Sequence, residues 1–228
     1  MTGELPTVTV LMPILNGEPY LAEALAALRN QSRPPLEILV LDGGSTDGSR
    51  ERVRDEAGAT LVDPPGGRLY PSLNAGMARA VGDVVVFTSS DDVMEPRALE
   101  CHVAALNGAP AAGYSVGKVR LFADESGVSQ QVPGSLAGTV RAARLLETIA
   151  VRRPLLQVVG GFRDEIGTSA DVEWLARLGD LGIPSVSVDA VVVSKRLHTG
   201  NTSYSDEAAA VGITQSLRLS ILRKQGRV

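Results

Sequence analysis

Four short apolar runs set the frame: Val8–Met12, Glu37–Leu41, Thr60–Val62 and Val84–Thr88, each followed by a stretch with helical spacing. Pro13 ends the first run, and Pro19 opens a helix with Leu21, Leu25 and Leu28 on one face. Asp42-Gly43-Gly44 closes the second, after which Ser45 or Thr46 can cap a polar helix that ends at Gly58. Leu73, Met77 and Ala80 share one face of a helix over 71–80, and a further helix is expected over 96–106. Continuous apolar strands alternating with helices of about ten residues predict parallel β-structure covered on both faces. The fold class is therefore α/β: a mostly parallel, Rossmann-like sheet flanked by helices.

The rhythm changes after Gly113. Tyr114–Phe122 alternates weakly and 123–138 is rich in Gly, Ser and Pro, which predicts antiparallel strands and a long loop. Helical spacing returns at Asp171–Leu181 through Val172, Leu175 and Leu178. Pro184–Val193 is strand-like with a break at Asp189-Ala190, and 208–224 reads as a helix with Ile213, Leu217 and Ile221 on one stripe. No internal repeat is visible. One domain over 1–228 is expected, with a ligand-binding part at 1–112, a smaller second part at 113–204 and a helical tail at 205–228.

Composition removes several classes. With 22 basic and 26 acidic residues the net charge is −4 and the signs are interspersed along most of the chain, which argues against a basic face that would release counterions from a nucleic acid. The single Cys101 excludes a disulfide scaffold or a cysteine-based zinc cluster. The longest apolar run, Ala24–Leu28, is far short of the roughly 20 residues of a spanning helix, and Met1–Pro6 has no signal-peptide pattern. A soluble, cytoplasmic protein is the expectation. Arg218, Arg223, Lys224 and Arg227 have no acidic neighbours in sequence, so the tail reads either as a packed terminal helix or as a peripheral contact with the inner face of a membrane. A homo-oligomer is compatible with the sequence.

In open parallel sheets ligands bind beyond the carboxyl ends of the strands. Those ends are polar here: Pro13-Ile14-Leu15-Asn16-Gly17, Asp42-Gly43-Gly44-Ser45-Thr46-Asp47 and Thr88-Ser89-Ser90-Asp91-Asp92. Gly43-Gly44 lets a ligand approach the backbone, and equally makes a turn with Asp42 as its cap. Asp91 and Asp92 suit a hard divalent cation bridging phosphates, or cap the helix entered through Pro96. Adjacent acids repel, which a cation relieves and a cap does not require.

The ordered series Val8–Leu28, Val40–Ser49, Asn74-Ala75-Gly76 with Ala80–Asp83, and Ser90-Asp91-Asp92 resembles the nucleotide-sugar domain of family 2 glycosyltransferases, which are GT-A folds. The similarity is continuous over roughly the first 110 residues and resumes near Gly160. It implies an inverting transfer of sugar from a nucleotide-diphosphate donor, a UDP-sugar foremost, to a hydroxyl acceptor with Mg2+ or Mn2+. On that resemblance Pro13, Asn16, Asp42, Asn74, Ser90, Asp91 and Arg196 serve the donor. Asp92 is the direct metal ligand, with Asp91 on ribose or metal-bound water and His198 reaching metal or diphosphate. Ser89 and Gly43 stand where many members carry Asp.

Gly160-Gly161-Phe162 and Ala170–Leu178 resemble the family segment in which an acid opens a helix below the acceptor, so Asp171 is implied as general base, a residue that would otherwise read as a helix cap. Glu173 can pair with Arg177 at i+4, and the lone Trp174 reads as core. Residues 196–203 read as a polar loop, with Arg196 suited to a diphosphate. Arg68 follows a Pro- and Gly-rich loop and can pair with a phosphate; His102 and Cys101 sit in a helix and need no function. Two other readings compete: a sugar nucleotidyltransferase, disfavoured because its Gly-rich Arg-containing loop should follow the first strand, and a non-catalytic donor-binding subunit.

Overall fold

The computed structural model describes residues 5–64, 66–123, 138–198 and 206–226. Side chains are described only from 214 onward in the last segment, so the expected loop at 124–137, the segment 199–205, Arg227 and the Ile213 side chain lie outside the described residues.

The apolar runs form the strands their composition predicts: β1 (Val8–Ile14), β2 (Glu37–Asp42), β3 (Ala59–Val62) and β4 (Val84–Phe87). They are parallel in the order β3-β2-β1-β4. The helices between them are α1 (Glu18–Arg29), α2 (Ser49–Asp55) and α3 (Leu69–Arg79). Neither Ser45 nor Thr46 caps α2, whose N-cap is Gly48. After α4 (Ala98–Gly108) the sheet continues through β6 (Tyr114–Ala123), β7 (Val140–Ala142), β8 (Ile149–Arg152) and β9 (Ser185–Leu197), with the two-residue β5 (Val93–Met94) on the far edge. The full order is β3-β2-β1-β4-β8-β6-β9-β5, with β7 on β6, so the parts expected at 1–112 and 113–204 share one mixed sheet. β6 is antiparallel to β7 and β8, as its position predicts, and parallel to β9.

Alternation along β1 sends its side chains to two cores. Val10 and Met12 pack with Leu21, Leu25 and Leu28 of α1 and Leu99 and Val103 of α4. Leu11 faces the other layer, where Leu73 of α3, Phe87 of β4 and Trp174 of α6 (Ala170–Asp180) meet. Trp174 is fully buried, as expected for a core residue, and its indole N–H donates to the Gly160 carbonyl at 2.8 Å.

The last helix, α7 (Asp206–Lys224), packs on α6 and on the 3₁₀ segment Asp164–Ser169. It buries Ser216 and tucks Leu219 against the core, while Leu217 and Ile221, the two described members of the expected apolar stripe, are exposed. Two of the basic residues that have no acidic neighbours in sequence find acidic partners in the fold. Arg223 bonds Glu173 at 2.7 Å and Asp180 at 2.8 Å, and Lys224 lies 3.7 Å from Asp180. No helix among the described residues is long and apolar enough to cross a membrane.

Candidate active site

The carboxyl ends of β1, β2 and β4 open onto two adjoining cavities of about 490 and 410 Å³. Pro13, Leu69, Ser89 and Asp91 line both. The smaller is lined by residues of the loops after β1 and β2, including Asn16, Gly17 and Gly43, and by Ser90 and His198. Asn16 adopts a left-handed φ of 53°, which Asn tolerates better than most residues. Its side-chain Oδ1 accepts the Thr46 N–H at 2.8 Å and its backbone N–H donates to Ser45 Oγ at 3.0 Å, lacing the two loops together. Gly43 explains one departure from the family pattern: a Cβ there would stand 3.2 Å from the carbonyl oxygens of both Gly67 and Ile14. The backbone at 67 fills the place of the missing side chain.

The larger cavity contains Asp171, in the first turn of α6. The Tyr70 hydroxyl lies 3.1 Å from Asp171 Oδ1 and 2.9 Å from the Thr168 carbonyl, so one proton is shared between two acceptors. Burial raises the Asp171 carboxyl above its ordinary range and the charge of Glu147 adds to this, outweighing the bonds from the Val172 N–H and Tyr70. A cluster of rings, Tyr70, Phe162, Phe87 and Trp174, with successive centroids 5.1–6.0 Å apart, supports the cavity floor beside α6.

Asp91, lining both cavities, is the hinge of the site. Its Oδ1 accepts from Ser89 Oγ, and His198 Nε2 stands 2.9 Å from its Oδ2. Burial acts against its charge, but the bonds from Ser89 and His198 and the nearby Lys195 ammonium hold its carboxyl below the usual range. Ser89, the second departure, therefore orients the acid that follows it. The His198 ring packs against Tyr20, centroids 4.9 Å apart.

Four expected site residues point elsewhere. Asp92 is buried, lines neither cavity, and uses Oδ1 to accept the Arg196 N–H at 2.9 Å and Oδ2 to accept from Lys195 Nζ at 3.0 Å. Of the two adjacent acids only Asp91 lines a cavity. Arg196 ends β9 rather than lying in a loop. Its guanidinium sits between the Tyr20 and Phe122 rings, 4.7 and 4.6 Å from their centroids, pairs with Glu23, and donates from Nε to the Asp91 carbonyl at 3.0 Å. It holds the Asp91 backbone and lines neither cavity. Asp42 is likewise buried: it accepts the Ser45 N–H at 2.9 Å and pairs with Arg50. Asn74 is a staple, donating to the Phe162 carbonyl at 2.9 Å and accepting the Phe162 N–H at 2.7 Å, which ties α3 to the Gly160-Gly161-Phe162 turn. Arg68 lines the larger cavity but is paired with Asp164.

Sequence reasoning missed Lys195, Glu147 and Tyr70. Lys195 Nζ is 3.0 Å from Asp92 and 3.1 Å from Glu147, and both Lys195 and Glu147 line the larger cavity. Burial opposes the Lys195 charge, yet Glu147, Asp92 and Asp91 together raise its pKa. Among the described residues no group of three or more His, Cys, Asp or Glu could hold a metal unaided.

The glycosyl transferase family 2 profile matches residues 9–151. The chain belongs to that family. Glycosyltransferase AglE of Haloferax volcanii is 26% identical over 196 residues, covering 80% of this chain and 64% of AglE. Among solved structures, Staphylococcus aureus TarS 1-349 in complex with UDP-GlcNAc aligns with a TM-score of 0.71 at 21% identity, over 95% of this chain and 66% of that one. The mannosyltransferase PcManGT of Pyrobaculum calidifontis, in complex with GDP-Man and Mn2+, gives 0.68 at 23% identity, over 95% and 64%. The GT-A architecture is thus shared, and the chain spans about two thirds of the length of these relatives.

Proposed function

We propose that the protein transfers a sugar, with inversion, from a nucleotide-diphosphate donor to a hydroxyl acceptor, with Asp171 as general base. The observation that carries this reading is that Asp91 and Asp171, 80 residues apart in the chain, line the same cavity while Asp91 also lines its neighbour. The smaller cavity, lined by loop residues and the strand ends, suits the nucleoside and diphosphate. The larger one suits the sugar and the acceptor.

Asp91 and His198 would hold the divalent cation, Mg2+ or Mn2+. One carboxylate and one imidazole make a donor set of hard oxygen and nitrogen, and two protein ligands leave room for phosphate oxygens and water, as such ions prefer. When bound, the cation offsets charge growing on the departing diphosphate. The chain's own residues do the rest. Ser89 orients Asp91, Arg196 fixes the Asp91 backbone, and Asp92 with Lys195 anchors the end of β9 that delivers His198. Asp171 accepts the acceptor's hydroxyl proton, its raised pKa making it a better base than an ordinary surface Asp.

The PcManGT and TarS complexes contain a GDP-sugar and a UDP-sugar respectively, and Asp42, expected to serve the donor, is spent on Ser45 and Arg50. UDP-sugars remain the first donors to test and GDP-sugars the second. A thermal-shift screen of both series with and without Mn2+ should give a Mn2+-dependent stabilisation by one series, because a ligand that binds only the folded state raises its apparent stability. The reading fails if no nucleotide sugar shifts the melt under either condition.

A further inference from the structure

The larger cavity is lined by four carboxylates, Asp91, Glu147, Asp164 and Asp171, against two cations, Arg68 and Lys195. Both cations are already engaged. Arg68 pairs with Asp164, and the single Lys195 ammonium is shared by Glu147 at 3.1 Å and the buried Asp92 at 3.0 Å. Asp171 faces no cation at all in this set: its partners are the Tyr70 hydroxyl and the Val172 N–H. A base must be ionised to act, and the charge of the divalent cation proposed at Asp91 is matched by the donor's diphosphate, so the chamber's carboxylates outnumber its cations when it receives the acceptor. Its floor is apolar, built from Leu69, Leu73, Phe87 and Leu146. A like charge brought beside carboxylates that outnumber the nearby cations is repelled, and apolar lining makes that repulsion stronger than in bulk solvent.

We infer that the acceptor is uncharged at the reacting end, a neutral sugar or polyol hydroxyl whose C–H face rests on this floor, and that Glu147, Asp164 and Asp171 reject acceptors carrying phosphate or carboxylate there. The inference rests on the transferase reading and adds the acceptor's chemical class. The acids of the wall act by exclusion, the repulsive half of specificity.

The test uses matched acceptors on one scaffold, octyl β-glucoside against octyl β-glucuronide and glucose against glucose 6-phosphate, with the donor that the thermal-shift screen selects. Two signals are read on the full chain: transfer, and the effect of each acceptor on donor hydrolysis. The neutral member of each pair should be favoured by at least about tenfold in kcat/KM, or act on hydrolysis at a correspondingly lower concentration. That ratio should narrow in Asp164→Lys and in Glu147→Gln, and it should narrow at high ionic strength. Because a ratio is taken on one preparation, partial loss of folded protein cancels. Equal or better use of the anionic members, or an unchanged ratio in both variants, overturns the inference while donor turnover leaves the transferase reading standing. Donor hydrolysis that no member of any pair affects overturns the inference too. Absence of any donor turnover, hydrolysis included, overturns the transferase reading itself.

Discussion

Replacing Asp171 by Asn isolates the proton transfer from everything else the site does. The amide has nearly the same shape and keeps an oxygen toward Tyr70 and the Val172 N–H, but it cannot take up a proton at neutral pH. Loss of a general base removes about 10²–10⁴ in rate, or ~3–5 kcal/mol of barrier. Asp171 lines the larger cavity and not the smaller one, so donor affinity should stay within about twofold, a small fraction of that barrier. Stability supplies a control whose sign is set by the raised pKa. A carboxyl that holds its proton more tightly in the folded state than in the unfolded one loses stability as pH rises through its folded pKa. Well above the unfolded pKa, Asp171 is thus a burden on the fold, and Asp171→Asn should melt no lower than the parent. Nucleotide release with acceptor, donor calorimetry and thermal melts at neutral pH together check this. Near-normal turnover would remove Asp171 from the mechanism, and a parallel loss of donor binding would show that it belongs to the donor pocket.

Tyr70→Phe removes a bond to the charged form of Asp171, so the acid limb of the kcat/KM profile should move to higher pH; a limb that stays in place shows that Thr168 takes the shared proton. Asp91→Asn and His198→Ala should each abolish the difference between donor affinities measured with and without Mn2+, and calorimetry that still shows the full difference removes that residue from the cation site. Lys195→Met should cost ~3–5 kcal/mol in urea unfolding by stranding the buried Asp92, and most of the loss should return in Lys195→Met/Asp92→Asn; a double variant no better than the single one denies the coupling. Arg223→Ala should cost roughly 3 kcal/mol by exposing the buried Glu173 and Asp180 to a lost partner, without creating or removing binding to anionic vesicles; a change in co-sedimentation would return the tail to the membrane.

The parallel half of the sheet was legible because its information is local. β1, β2 and β4 are apolar runs long enough to carry their own pattern, and the polar residues that follow them are where an open sheet binds ligands. The end of β9 was not legible, and the reason is physical. Ser194, Lys195 and Arg196 look like loop residues because nothing nearby in sequence satisfies them. In the fold Glu95 takes Ser194, Asp92 and Glu147 take Lys195, and Glu23 with two aromatic rings takes Arg196, partners between 48 and 176 residues away. A strand can carry three polar side chains into a half-buried setting when distant elements supply every partner.

The exchange of roles between Asp91 and Asp92 follows from the same long-range pairing. Two adjacent acids at a strand end are equivalent in sequence, and which of them meets the ligand depends on what waits on the other side. Lys195 and the Arg196 N–H provide a built place for one carboxylate, and Ser89 and His198 provide a place for the other facing the cavity. The only local trace of this was a lysine immediately before Arg196-Leu197-His198, a cation with no diphosphate role assigned to it. A buried acid paired to that lysine fixes the strand, and the strand carries His198 to Asp91. The proposed cation site thus depends on an ion pair whose carboxylate, Asp92, lines neither cavity. That is why Lys195→Met/Asp92→Asn, if it restores the fold, should also restore the Mn2+ dependence of donor binding, whereas His198→Ala should lose that dependence with the fold intact.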